Sequence, residues 1–176
     1  MSHSHPTQTT PSHSCRLMST LHSHCHHCSS SSHFLSCDTI LQDLLSTHYI
    51  GYADGASRYF QNLASIAWAI FTPLHTLVLS NGVCIGNATN NQAEYDAIRG
   101  LLANALSHRI LHLHVRLYSL LLVSQLNGVY RVHNPILFRQ YLRVKLLIRE
   151  FRFITFNHVP RGQNHYVDSI TNHFLD

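Results

Sequence analysis

The run Thr89-Asn90-Asn91-Gln92-Ala93-Glu94-Tyr95 opens a helix whose apolar stripe is Ala97, Ile98, Leu101, Leu102 and Ala105, and it sets a carboxylate on that stripe. Glu94 precedes Ala97 and Ile98 by one helical turn, so spacing turns it toward whatever the helix packs on. A charge there is costly unless something neutralises it. The helix therefore needs an apolar surface to cover, and that surface must hold a partner for Glu94. Two partners satisfy the chemistry. One is a metal ion shared with other acids; the other is the free backbone N–H at the helix start, which Glu94 reaches if Asn91 is the cap.

The surrounding pattern supplies the surface. His48-Tyr49-Ile50-Gly51-Tyr52-Ala53-Asp54-Gly55 reads as a strand running into a turn, with further strands near Ser65 to Phe71 and Thr76 to Val83. Short connections make these three antiparallel neighbours. The helix from about Asn91 to Ser107 follows, then a buried strand Leu111 to Tyr118, a helix Ser119 to Asn127 and a longer helix Pro135 to about Arg149. Phe151 to His158 alternates as a last strand, and Asn164 to Phe174 closes the chain as a helix. Three strands followed by alternating helices and strands predict an α/β fold: a five-stranded mixed sheet flanked by helices over residues 47–176.

Acids that could share an ion with Glu94 are few. The 176 residues hold eight: Asp38, Asp43, Asp54, Glu94, Asp96, Glu150, Asp168 and Asp176. Eleven arginines and one lysine give a formal net charge of +4, which tolerates a polyanion without identifying one. No apolar run reaches membrane-spanning length, and the N-terminus lacks the order of a secretory signal. The expectation is an intracellular protein, in nucleus or cytoplasm, monomeric, with reduced cysteines and no membrane partner.

Residues 1–37 differ from the rest. They carry eight of the seventeen histidines, four of the five cysteines, eleven serines and no acid. Such a stretch has little to bury and is expected to be disordered, joined to the domain by a linker at 38–46. Cys25-His26-His27-Cys28 offers the CxxC spacing that zinc accepts, without a second half-site. Compositional bias, a metal-binding tail on an inert domain, and a Ser-rich transit peptide all stand as readings.

Four motifs in order carry a resemblance. Asp54-Gly55-Ala56-Ser57 after a strand, Thr89 to Tyr95 opening a helix, Ser124-Gln125-Leu126-Asn127-Gly128, and His158-Val159-Pro160-Arg161 with Asn164 and Asp168 resemble the type 1 ribonuclease H family. The nearest flavour is the ribonuclease H-like domain of plant genomes and retroelement polyproteins. The resemblance implies a ribonuclease H-like fold and a nucleic-acid partner, the RNA-DNA hybrid, whose RNA strand the family cuts with two Mg2+ or Mn2+ ions held by four carboxylates. Two ions about 3.5 to 4 Å apart need several anionic oxygens converging on one small volume. Asp54, Glu94 and Asp168 match three of the four. His158 matches a mobile histidine near the metals, Thr89 a phosphate contact, and Asn90 and Asn91 contacts to sugars and base edges in the minor groove.

Each of these residues also has a plainer reading. Asp54 before Gly55 is a turn former, Asp168 an ordinary first-turn acid, His158 a solvated strand end, and Thr89 to Asn91 a polar loop and cap. Two departures from the family pattern bear on activity. The third carboxylate, expected at the start of an Asp-Ser pair, is replaced by Tyr118-Ser119, and no acid occurs anywhere between residues 97 and 149. A phenol is a poor ligand for a hard cation, so metal-dependent cleavage is expected to be weakened or lost, leaving a nucleic-acid-binding or vestigial domain. After Asp54, Arg58-Tyr59-Phe60-Gln61 stands where the family has a glycine- and proline-rich loop, and its bulk is expected either to narrow the approach of substrate or merely to alter a hairpin. Arg139, Arg143, Lys145, Arg149 and Arg152 edge the long helix as a solvated surface or as a track for phosphates.

Overall fold

The computed structural model describes residues 48–175, so the tail, its CxxC and the whole linker lie outside the described residues. Five strands form one sheet: β1 Tyr49–Arg58, β2 Leu63–Phe71, β3 Leu77–Gly86, β4 His112–Leu117 and β5 Phe153–His158. Their order is β3-β2-β1-β4-β5. β1 pairs antiparallel with β2 and parallel with β4, and β4 pairs parallel with β5. Among the described residues four α-helices accompany the sheet: α1 Asn90–Ser107, α2 Leu120–Leu126, α3 Pro135–Ile148 and α4 His165–His173. None of the described helices is long and apolar enough to cross a membrane.

β2 explains how helices cover both faces of the sheet. Its alternation splits into Ile66, Trp68 and Ile70, which join the core beneath α1, and Ala67 and Ala69, which pack with Val167 of α4. The small residues mark the side where α4 lies close. Gly82 on β3 serves the same contact, because a Cβ there would lie 2.4 Å from Ile170 and 2.5 Å from Phe174. The whole stripe expected on α1, Ala97, Ile98, Leu101, Leu102 and Ala105, is buried.

The structure corrects two local expectations. β1 does not turn at Asp54-Gly55; it runs on to Arg58, and the reversal falls at Tyr59–Gln61 and Asn62, whose φ is +50°. Gly55 answers to close approach instead: a Cβ would lie 2.2 Å from the Ala93 carbonyl carbon and 2.3 Å from the Glu94 nitrogen. α1 begins one residue early, with Thr89 as its cap in place of Asn91.

Candidate functional site

That early cap removes the capping reading of Glu94. The Thr89 hydroxyl accepts from the Gln92 N–H at 3.3 Å, and the Thr89 N–H donates to Gln92 Oε1 at 2.8 Å. A capping box is therefore complete without Glu94. Glu94 falls two residues further in, where its Oε1 accepts from Asn90 Nδ2 at 3.3 Å and its buried Oε2 has no hydrogen-bond partner.

Strand pairing brings the other groups to the same end of the sheet. Tyr52 pairs with Arg116 across β1 and β4, so two residues further on Asp54 and Tyr118 stand level. Gly55 lets the first turn of α1 descend onto β1, which carries Glu94 toward Asp54. Asn164 is buried at the start of α4, and its Nδ2 donates to the Ala53 carbonyl at 3.4 Å, fastening that helix beside Asp54. Asp168 sits in the first turn of α4. A groove results, lined by Asp54, Glu94, Asp168, Asn90, Tyr118 and Arg161.

Electrostatics follow from this crowding. Burial pushes the Glu94 carboxyl up to about 7; the Ser119 hydroxyl opposes the shift and the Asp54 carboxylate adds to it. Asp54 is also raised, chiefly by burial, with Thr171 and Arg161 opposing and Asp168 reinforcing. Asp168 is neutralised from within the chain: Arg161 Nη2 donates to its Oδ1 at 2.9 Å. Arg161 belongs to the motif that ends at Asp168, and its pairing shows only in the fold. It lies in the 3-10 turn Arg161–Gln163 while Asp168 lies in α4, so no single element's period links the two.

Of the remaining expected residues, Thr89 is spent on the cap and remains exposed, and Asn91 is half-buried in the first turn. His158 ends β5 outside the groove lining, its ring 6.3 Å from that of Tyr118. Phe60 is almost wholly exposed in the turn after β1. Tyr118 is 48% exposed at the position expected for the third carboxylate.

The donor set fits one hard cation better than two. Glu94 Oε2 is a buried carboxylate oxygen without a partner, and Asp54 lines the same groove. Against a second ion stand the phenol of Tyr118 and the guanidinium already on Asp168. Among the described residues no three His, Cys, Asp or Glu side chains close into a ready ligand cluster.

A mixed sheet in this order, with three carboxylates gathered where β1, α1 and α4 meet, defines a ribonuclease H-like domain. The family model described as reverse transcriptase-like matches residues 52–174, and the chain belongs to that ribonuclease H-like family. Ribonuclease HI of Halobacterium salinarum is 36% identical over 125 residues, covering 71% of this chain and 63% of the relative. A bifunctional protein of Mycobacterium tuberculosis is 34% identical over 70% of this chain and 34% of its own length. The chain thus spans less than two thirds of these curated relatives.

Solved structures agree on the fold. That of the Halobacterium salinarum enzyme superposes with a TM-score of 0.71 at 35% identity, covering 73% of this chain and 98% of that one. LC11-RNase H1, isolated from compost by a metagenomic approach and solved in complex with RNA/DNA hybrid, gives 0.67 at 29% identity, covering 71% and 94%.

Proposed function

We propose that this domain binds RNA-DNA hybrids and that Tyr118 disables cleavage of the RNA strand. Binding is supported by family membership and by the hybrid held in one of the similar structures. The carrying observation is Tyr118 itself, a phenol lining the groove with Asp54 and Glu94 where a carboxylate is needed. In this reading Asp54 and Glu94 would hold one Mg2+ or Mn2+ ion, with Asp168 completing the set only when Arg161 releases it. A bound dication supplies Lewis-acid stabilisation of charge at the scissile phosphate. Asn90 lines the groove, and with its chain neighbours Thr89 and Asn91 it would present polar groups to the hybrid from the helix start, while His158 flanks Tyr118.

The test is incubation of purified protein with a labelled hybrid in Mg2+ or Mn2+, beside Tyr118→Asp and Asp54→Asn variants. The parent should bind without cutting, and Tyr118→Asp should raise cleavage at least tenfold. Robust cleavage by the parent that disappears in Asp54→Asn would instead establish a working nuclease and overturn the assignment of Tyr118.

A further inference from the structure

A second cleft lies between the α2–α3 connection and the start of α3. Tyr130, Arg131, His133, Phe138 and Tyr141 line it, and it is an open cleft of about 370 Å³. Its aromatic groups are arranged rather than scattered. The Phe138 and Tyr141 rings stack 22° from parallel with centroids 6.1 Å apart, and Lys145 Nζ stands 5.9 Å from the Tyr141 centroid. Tyr130 is 57% exposed and Phe138 44% exposed.

Charge selects the ligand. The cleft lies within a span, residues 97 to 149, that contains no acid, while Arg131 lines it and Lys145 stands beside it. Flat apolar rings edged by cations match the faces of nucleobases on a phosphate chain. The path from the carboxylate groove is short. Gln140 Nε2 donates to the Gln92 carbonyl at 3.4 Å, which sets α3 against the first turn of α1, where Asn90 lines that groove.

We infer that this cleft is a stacking subsite for an unpaired strand, taking one or two bases of single-stranded nucleic acid that continues beyond a bound duplex. The inference rests on the domain being a nucleic-acid binder, and it assigns to the acid-free span a ligand that the carboxylate groove does not take. Base stacking on an aromatic side chain is worth roughly five- to 150-fold in affinity per base.

The experiment measures fluorescence anisotropy of the full chain with three probes: a blunt RNA-DNA hybrid, the same hybrid carrying a roughly six-nucleotide single-stranded DNA extension, and the extension alone. The extension should tighten binding at least fivefold. Tyr130→Ala with Phe138→Ala should abolish that gain and leave the blunt hybrid unchanged, whereas Phe138→Tyr should retain it. In a Tyr130→Trp variant the extended probe should quench the new indole. No gain from the extension, or a gain that survives the double substitution, overturns the inference. So does an equal loss for the blunt hybrid, which would make the cleft a duplex contact. Binding of the extension alone through Tyr130 and Phe138, with no binding of the blunt hybrid, would uphold the cleft and refute the hybrid-binding reading.

Discussion

The two oxygens of Glu94 are unequal: one accepts from Asn90, and the other is buried without a partner. A carboxyl pushed up to about 7 holds a proton in the folded chain that the unfolded chain, with its ordinary value of 4.5, has released. The folded state therefore binds more protons between these values, and stability from this group falls as pH rises through that window. Glu94→Gln should leave stability unchanged below pH 4.5 and raise it above pH 7. The gain is on the order of 1 kcal/mol, less than the full shift implies because the groove admits water. Urea unfolding of parent and variant at pH 4 and pH 8 checks this, and an equal difference at both values would contradict it. Added Mg2+ should narrow the gap at pH 8 by neutralising the parent carboxylate. From the sequence, Glu94 was legible as an acid on an apolar stripe. What the stripe could not reveal was whether the capping box would consume it, because Thr89 and Gln92 were equally able to close that box.

Among the elements, α1 binds fold and site together. Its cap fixes where the helix starts, its start fixes which turn meets Gly55, and that contact places Glu94. Thr89→Ala removes the acceptor for the Gln92 N–H and should cost about 1 kcal/mol, while Thr89→Ser should restore most of it. Thermal or urea unfolding reads the effect directly. Should Thr89→Ser also recover hybrid affinity lost in Thr89→Ala, the hydroxyl acts on substrate through the helix start. The number, type and order of elements were legible because each long segment keeps a clean period and has turn residues at its ends. The extent of β1 was not. Asp-Gly signals a turn in isolation, yet here the glycine is required by the α1 backbone pressing on the strand, and no local pattern in β1 announces a helix arriving from residues 93 and 94. The Arg161–Asp168 pair was hidden for a related reason: it crosses a turn and depends on how that turn folds back.

Over the whole molecule, charge is distributed by region. The net +4 is modest, but no acid occurs from residue 97 to 149, while Asp54, Glu94 and Asp168 gather at one end of the sheet. If the basic edge of α3 follows a phosphate chain, hybrid affinity should fall roughly tenfold or more between 50 and 200 mM salt. Arg139→Glu with Arg143→Glu should flatten that dependence. A slope unchanged by the double substitution would return α3 to an ordinary solvated surface. Composition showed the excess of cations, and the fold was needed to see that Tyr130 and Phe138 join them, since the loop that carries Tyr130 has no periodicity to read. Tyr118 bears on the history of the chain as well as on its chemistry. Asp54, Glu94, Gly55 and the register of β1 with β4 remain in place around it. Tyrosine and aspartate codons differ only in their first base, so the missing carboxylate is a single nucleotide substitution away. If Tyr118 disables cleavage as proposed, the gene is poised for reversion, and selection on activity would have one position to act on before any other.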